Sequence, residues 1–171
     1  SNSTLLGNTS YSNGTGLFLS STSTARSNLV YANATQGVLM QGGNGSQFIG
    51  NTVYQPAGNA LTVQSSASNL RLADNILWAV AGTDIVVAPD SQNGFVSDFS
   101  IFQGAVGLWQ TVSRTSLTAW RNAAFTDASS LYADPLFVDI DGADNTLGYV
   151  NAAQDGRDDD FHLQSAYGSF H

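Results

Sequence analysis

The chain has 171 residues and a formal net charge of -8, carried by Asp and Arg alone, because Lys and Glu are absent. This charge argues against nucleic acids and anionic membranes as partners, and no apolar run approaches the length of a membrane span. The chain has no Cys, so no disulfide can stabilise it, and its length and 42% hydrophobic residues predict one domain with an ample core.

A four-residue pattern that returns five times is the most informative feature of the chain. Its copies are 20, 23, 24 and 23 residues apart and begin at Asn8, Asn28, Asn51, Asn75 and Asp98. An apolar series follows eight or nine residues later, beginning at Gly16, Gly37, Ala60, Asp84 and Val106. A third series stands three residues before the Asn or Asp, at Leu5, Ala25, Phe48, Leu72 and Phe95. A period in this range is typical of a solenoid.

Each period therefore contains three short apolar runs, separated by the turn-forming residues Gly, Asn, Ser and Thr. The runs are too short for helices, so each period is expected to form three short strands. The pattern predicts an all-β fold, a parallel β-helix of about five to six rungs that stack about 4.8 Å apart.

The repeated Asn is expected at a bend between two strands. There its side-chain amide can bond to the same amide on the next rung, which would build a ladder along the coil. Because side chains alternate along a strand, Val30, Val53 and Leu77 are predicted to point into the core. The Asn series therefore predicts fold rather than activity.

The same alternation predicts an outward column of aromatic side chains, one on each of four rungs. Sugar rings stack on aromatic faces through their C–H groups, so the column is a candidate carbohydrate-binding strip. Two structural alternatives remain open, namely that the rings stabilise each other across rungs or are covered by the segment 109–120. The candidate residues are Tyr11, Tyr31, Tyr54 and Trp78.

The periodic pattern ends near Trp109. Beyond it, Ser116 is a candidate N-cap for a short helix through Trp120 and Ala124 that packs over the side or end of the coil. Two further strands are predicted over residues 136–138 and 161–163. We therefore divide the chain into rungs at residues 1–110 and a C-terminal part of the same domain at residues 111–171.

An acidic loop separates these last two strands and holds seven of the thirteen Asp residues. Short carboxylates with interspersed Gly and backbone carbonyls suit a hard cation such as Ca²⁺, and so many like charges repel unless they are paired or bound. The alternatives are a solvated loop of turn-forming Asp residues and, less favoured, a catalytic metal site. The candidate ligands of a structural Ca²⁺ are Asp139, Asp141, Asp144, Asp155, Asp158, Asp159 and Asp160.

The N-T-x-Y and G-x-x-L rhythm resembles the right-handed parallel β-helix repeat proteins of the pectate-lyase-like group. The segments 116–120, 133–139 and 160–165 resemble the closing part of large secreted bacterial β-helix proteins. The resemblance implies a right-handed coil, a secreted or cell-surface location and a segment of a longer surface protein. It implies no single activity, because the group includes lyases, hydrolases, epimerases, binding modules and surface fibres.

No nucleophile–base pair can be recognised from spacing, so no catalytic residue is assigned and an enzyme is the less favoured interpretation. Arg26 and Arg71, candidates for the basic residue of a lyase, lie at unequal offsets from the Asn series and should not share a column. We predict a structural or adhesive β-helix module of an extracellular protein or fibre, with Ca²⁺ in its acidic loop. Its expected partners are polysaccharides or neighbouring copies of the same protein, and the alternative is a module that binds or degrades polysaccharides.

Overall fold

Short strands joined by tight corners build three β-sheets, in the computed structural model that describes residues 2–164. Sheet A contains β1 (Ser3–Leu6), β4 (Ser23–Arg26), β7 (Gln47–Ile49), β10 (Arg71–Ala73) and β13 (Val96–Asp98). Sheet B contains β2 (Thr9–Tyr11), β5 (Leu29–Tyr31), β8 (Thr52–Ala57), β11 (Ile76–Ala81), β14 (Ile101–Phe102) and β17 (Leu131–Tyr132). Sheet C contains β3 (Thr15–Ser20), β6 (Gln36–Gln41), β9 (Asn59–Gln64), β12 (Thr83–Val87), β15 (Ala105–Trp109) and β16 (Val112–Arg114).

Within each sheet a strand pairs in parallel with its equivalent one period later, and one strand from each sheet makes a rung. Five rungs are complete, from β1–β3 to β13–β15, and β17 adds a further parallel strand to sheet B. Strand β16 differs because it turns back and pairs with β15 in the antiparallel sense. A short 3-10 helix, Pro89–Ser91, follows β12. The predicted all-β parallel solenoid is therefore confirmed.

The core fills the inside of the coil with apolar side chains in register. On sheet C, Leu17 pairs with Val38, Val38 with Leu61 and Leu61 with Ile85, so one buried column runs through four rungs. Val30, Val53 and Leu77 form the corresponding column of sheet B and are fully buried, as predicted. Each apolar side chain is thus shielded by the rungs on either side of it, which is the main favourable contribution to folding.

The corner between sheets A and B is made by a single residue in the left-handed conformation, directly before each ladder residue. A single residue with positive φ turns the chain sharply without a loop, at a steric cost for any residue with a Cβ. Glycine occupies this position twice and larger residues three times. The φ values run from 53° to 64° at Gly7, Ser27, Gly50, Asp74 and Phe99.

The fifth copy of the repeat lies two residues away from where the sequence pattern placed it. Asp98 pairs with Ala73, and the position equivalent to Asn75 is occupied by Ser100. Likewise Ser97, rather than Phe95, continues the column of Leu72. The predicted alignment was wrong here because Phe95 and Asp98 match the chemistry of the earlier copies, whereas the pairing follows backbone register.

Helix α1 (Leu117–Ala124) covers the end of the core next to β15. The Ser116 hydroxyl accepts a hydrogen bond from the backbone N–H of Ala119 at 3.2 Å, so the predicted N-cap is confirmed. Trp120 is fully buried, and its ring centroid lies 5.6 Å from that of Trp109. A Cβ at Gly107 would overlap the Trp120 ring, so glycine makes the space that the indole occupies.

The chain divides into two units, Ser1–Ala133 and Asp134–His171, so that α1 and β17 belong with the rungs. In the second unit β18 (Phe137–Asp139) pairs with β19 (Asp160–Leu163) in the antiparallel sense. These two strands lie within one residue of their predicted positions. The rings of Phe137 and Phe161 pack edge to face at 5.1 Å between centroids, and the acidic loop connects the two strands.

Candidate functional site

The predicted asparagine ladder is present and runs along the corner between sheets A and B. The Asn28 Oδ1 accepts a hydrogen bond from the Asn8 side-chain amide at 2.9 Å, and the Asn51 Oδ1 accepts one from Asn28 at 2.8 Å. The Asn75 Oδ1 accepts one from Asn51 at 3.2 Å. Each of these oxygens also accepts the backbone N–H of the Asn one rung earlier. The ladder thus satisfies backbone groups at the corner, and its buried amides have a structural role.

The aromatic column of sheet B is also in register, since Tyr11 pairs with Tyr31, Tyr31 with Tyr54 and Tyr54 with Trp78. The rings contact each other: Tyr11 stacks on Tyr31 at 4.9 Å, and Tyr54 meets Trp78 edge to face at 4.9 Å. Tyr31 is only 1% exposed and Tyr54 only 8% exposed. These two rings therefore present little surface to a sugar, and the carbohydrate-binding role of the column stays a prediction.

A second polar ladder, which the sequence analysis did not identify, follows the corner between sheets B and C. The Asn33 Oδ1 accepts the backbone N–H of Asn13 at 3.0 Å, and the Gln55 Oε1 accepts that of Asn33 at 2.9 Å. A Cβ at Gly16 would overlap the Asn33 amide, and one at Gly37 would overlap Val53. Glycine at positions 16 and 37 of sheet C thus leaves room for the side chains of Asn33 and Val53.

On the fourth rung the residue in register with Gln55 is Ala79, which has no polar side chain to continue this ladder. The side chain of Asp84 supplies the acceptor oxygens there instead. The Asp84 Oδ1 accepts the backbone N–H of Ala79 at 2.7 Å, and its Oδ2 accepts those of Gln103 and Gly104 at 3.2 and 2.8 Å. Its side chain thus joins the fourth rung to the fifth.

Asp84 is completely buried. Burial raises the pKa of the Asp84 carboxyl to about 7, and the three backbone hydrogen bonds act in the opposite direction. The sequence does distinguish Asp84, because it is the one charged member of the apolar series that begins at Gly16 and is otherwise made of Gly, Ala and Val.

The outer face of sheet A carries both arginines of the first four rungs. Arg26 stands in register with Ile49 and Ala73, whereas Arg71 stands in register with Gln47, so the two lie in different columns as predicted. The Arg26 guanidinium donates a hydrogen bond to the Gln47 side-chain oxygen at 2.7 Å. Polar side chains therefore face outward on three consecutive rungs of this sheet.

Next to Arg71 lies an open groove of about 370 Å³ that the sequence analysis did not identify. Its lining includes Val96, Asp98 and Phe99, and the side chains of Val96 and Phe99 are 56% and 62% exposed. The Asp98 Oδ1 accepts the backbone N–H groups of Phe99 at 2.9 Å and Ser129 at 2.6 Å. The sequence analysis did not identify this arrangement, because it took Asp98 rather than Ser100 as the ladder residue and therefore did not place Phe99 at the corner.

The seven candidate metal ligands lie in the second unit, on its two strands and the loop between them. Asp139 on β18 stands opposite Asp160 on β19. The loop folds back on itself, since the Asp158 Oδ2 accepts the backbone N–H of Asp144 at 3.1 Å. An open groove of about 290 Å³ has Asp144, Asp155 and Asp158 in its lining.

Several of these carboxylates are engaged by protein groups. Asp155 forms an ion pair with Arg157 at 2.6 Å, and this interaction lowers the pKa of the Asp155 carboxyl. A hydrogen bond from the His162 backbone N–H lowers the pKa of Asp160, whose Oδ1 also lies 2.6 Å from the His162 ring nitrogen. Within residues 2–164, no three acidic or histidine side chains converge closely enough to hold a metal ion. Ca²⁺ binding by Asp141 and the other candidates stays a prediction.

Residues 2–164 also contain no helix with the length and apolar character needed to cross a membrane.

Comparison with known proteins supports the fold that the three sheets show. A family model described as "Right handed beta helix region" matches residues 1–77. Searches of curated proteins and of solved structures gave no match. The matched residues cover the first three rungs and reach into the fourth, and the same parallel pairing continues to β15 and β17. Together, the family match and the stacked parallel sheets identify a right-handed parallel β-helix repeat protein.

Proposed function

We propose that this chain is a structural and adhesive module of an extracellular or cell-surface protein or fibre. The observation that carries the proposal is the continuous pairing of three sheets through five rungs, reinforced by the ladder from Asn8 to Asn75. Every rung is hydrogen-bonded to the next on all three sides, so the coil resists bending and local opening. Helix α1 covers one end of the core. A rigid support with an outward-facing surface suits presentation and adhesion.

Beads coated with the purified chain should adhere to surfaces that carry extracellular polysaccharides and resist removal by flow. The matched control is beads coated with the Trp120→Ala variant, which we expect to disturb the capped end of the coil. An antibody against the chain should also label intact, unpermeabilised cells of the source. Adhesion no stronger than that of albumin-coated beads on every polysaccharide surface would contradict the adhesive role, and a signal only after permeabilisation would contradict the location.

We also propose that Ca²⁺ binds the acidic loop of the second unit after its side chains rearrange. The support is electrostatic: seven carboxylates from Asp139 to Asp160 repel one another, and one Arg in the loop neutralises part of this charge. Oxygen ligands from Asp side chains and loop carbonyls are the kind that Ca²⁺ prefers. A cation bound there would stabilise the folded loop.

The chain should melt at a higher temperature with millimolar CaCl₂ than with a chelator, because an ion that binds only the folded state stabilises it. An Asp144→Asn, Asp158→Asn double variant should lose the difference. Asp74→Asn, which removes an exposed carboxylate from the rungs, should keep it. A melting midpoint of the wild-type chain that is the same with CaCl₂ and with chelator, followed by circular dichroism, would contradict the proposal that Ca²⁺ binds the folded chain.

A further inference from the structure

One peptide bond differs chemically from all others in the chain, namely the bond between Asp134 and Pro135. The chain has three prolines, and the other two follow Gln55 and Ala88, so this is its one Asp–Pro bond. It lies at the start of the second unit, directly after the unit that contains the rungs. Asp134 is exposed and Pro135 is buried, so water reaches the carboxyl group while packing holds the proline ring.

The Asp134 side chain is folded forward over this bond. Its Oδ1 accepts a hydrogen bond from the backbone N–H of Leu136 at 2.8 Å. No other described residue engages this carboxyl group, which leaves its Oδ2 without a partner among residues 2–164. The carboxyl carbon is close to the carbonyl carbon of its own residue, because only Cβ and Cα separate the two. The hydrogen bond thus holds a nucleophilic group beside the Asp–Pro bond.

The backbone directly after the bond is held in an unfavourable conformation. Leu136 has a φ of 54°, in the left-handed region, where the Cβ of a bulky residue has a steric cost. Its side chain is 52% exposed, so burial does not explain the conformation. The Leu136 carbonyl accepts the backbone N–H of Gln164 at 2.8 Å, next to the pairing of β18 with β19. Cleavage before Pro135 would release the other side of Leu136 and allow this strain to relax.

A carboxylate in this position can attack its own carbonyl carbon. The Asp134 Oδ2 forms a bond to that carbon, the bond to the Pro135 nitrogen breaks, and the nitrogen takes up a proton from solvent. Proline suits the role of leaving group, because its amide nitrogen carries no hydrogen and is more basic than that of other residues. The product is a five-membered cyclic anhydride at residue 134. One water molecule opens it to the two carboxyl groups of a C-terminal Asp.

We propose that the chain cleaves itself between Asp134 and Pro135 in mildly acidic solution and thereby separates the rungs from the acidic second unit. This modification goes beyond the adhesive function proposed above and does not depend on it. The attack is intramolecular, so the reacting groups are already held together. Acid promotes the reaction because the leaving nitrogen requires a proton.

Other titratable groups lie on the strands next to this bond. Tyr132 on β17 donates its hydroxyl hydrogen to a backbone carbonyl. Asp139 on β18 stands opposite Asp160 on β19, and Asp160 pairs with His162. None of these side chains forms a hydrogen bond or an ion pair with Asp134. The reaction therefore requires Asp134, water and solvent protons, and no second side chain.

Incubation of the purified chain at about pH 4 and about pH 7, on either side of the range between acidic and neutral titration, tests the proposal. Mass spectrometry should show one fragment that ends at Asp134 and one that begins at Pro135 at the lower pH, and intact chain at the higher pH. A synthetic peptide of residues 130–140 reports the same bond without the fold. The folded chain should be cleaved about tenfold faster than the peptide, because its carboxyl group is held in place. Equal rates would overturn the proposal, since they would show only the ordinary acid lability of an Asp–Pro bond.

Two variants of Asp134 test the nucleophile. Asp134→Asn removes the carboxylate, and Asp134→Glu keeps it but would have to form a six-membered ring, so both should be cleaved at least about tenfold more slowly. Asp74→Asn, an exposed position on the rungs, is the matched control and should be cleaved like the wild type. Circular dichroism should show that all three variants fold, because both positions are exposed, and the comparison with the peptide needs no variant. Cleavage of Asp134→Asn at the wild-type rate would overturn the proposal, and so would equally fast cleavage after other Asp residues.

Discussion

Replacing Trp120 by alanine is expected to destabilise the rungs by about 3–5 kcal/mol, the range for large-to-small changes of buried aromatic residues. The indole is fully buried at the end of the core, against Gly107 and Trp109. Its Nε1–H also donates a hydrogen bond to the Asp127 Oδ2 at 2.7 Å. The substitution therefore leaves a cavity and a buried carboxylate oxygen without this donor. Urea unfolding followed by circular dichroism measures the effect.

The loss should extend beyond one side chain, because Asp127 also accepts hydrogen bonds from Ser97 at 2.8 Å and Ser130 at 2.6 Å. These contacts join the segment after α1 to the fifth rung. Thr118→Ala, an exposed position on the same helix, is the matched control and should change stability by less than about 0.5 kcal/mol. A loss below about 1 kcal/mol for Trp120→Ala would show that α1 does not cap the coil.

Stability should fall as the pH rises from about 4 to about 8, because Asp84 loses its proton inside the coil. Burial raises the pKa of Asp84 from 3.8 to about 7 in the folded state. The folded chain therefore holds a proton that the unfolded chain has released, and its stabilising effect is complete below pH 4. A shift of about three units corresponds to at most about 4 kcal/mol, lost by the time the pH passes 7. Urea unfolding across this pH range measures it.

Asp84→Asn should flatten this pH profile, since an amide has no proton to lose in the range. The variant also turns an N–H₂ group towards backbone N–H groups, so its stability should be lower than that of the wild type at acidic pH. Asp74→Asn, on the same rung but exposed, is the control and should keep the wild-type slope. The lowered pKa values of Asp155 and Asp160 act in the opposite sense, and only below about pH 4. A wild-type profile that is flat from pH 4 to 8 would contradict the prediction.

The period of the chain was sufficient to predict the fold, because every rung of a solenoid has the same local requirements. Each rung needs apolar side chains at alternate positions and a polar side chain at the corner, so the composition of one rung resembles that of the next. The ladder from Asn8 to Asn75 and the N-cap at Ser116 follow from such local chemistry. They were predictable for that reason.

The register of the fifth rung was not predictable from this local chemistry. The sequence pattern predicted Asp98 as the ladder residue, whereas in the paired strands Ser100 occupies that position. A hydroxyl can accept the same backbone N–H as an amide, so the chemistry at the corner tolerates several residue types. Register is decided instead by how the strands and helix α1 pack together. The exposed ring of Phe99 follows from that register.

Some features of the candidate sites were likewise predictable from sequence, whereas others required the tertiary structure. The sequence by itself determined the parallel coil, the column from Tyr11 to Trp78 and the acidic loop, because all three follow from period or composition. Only the tertiary structure decided that the aromatic rings contact each other, that Asp84 is buried between two rungs, and that Arg71 lies beside Phe99. These are contacts between different rungs, and their geometry depends on strand register and neighbouring side-chain volume. A single sequence reveals neither directly.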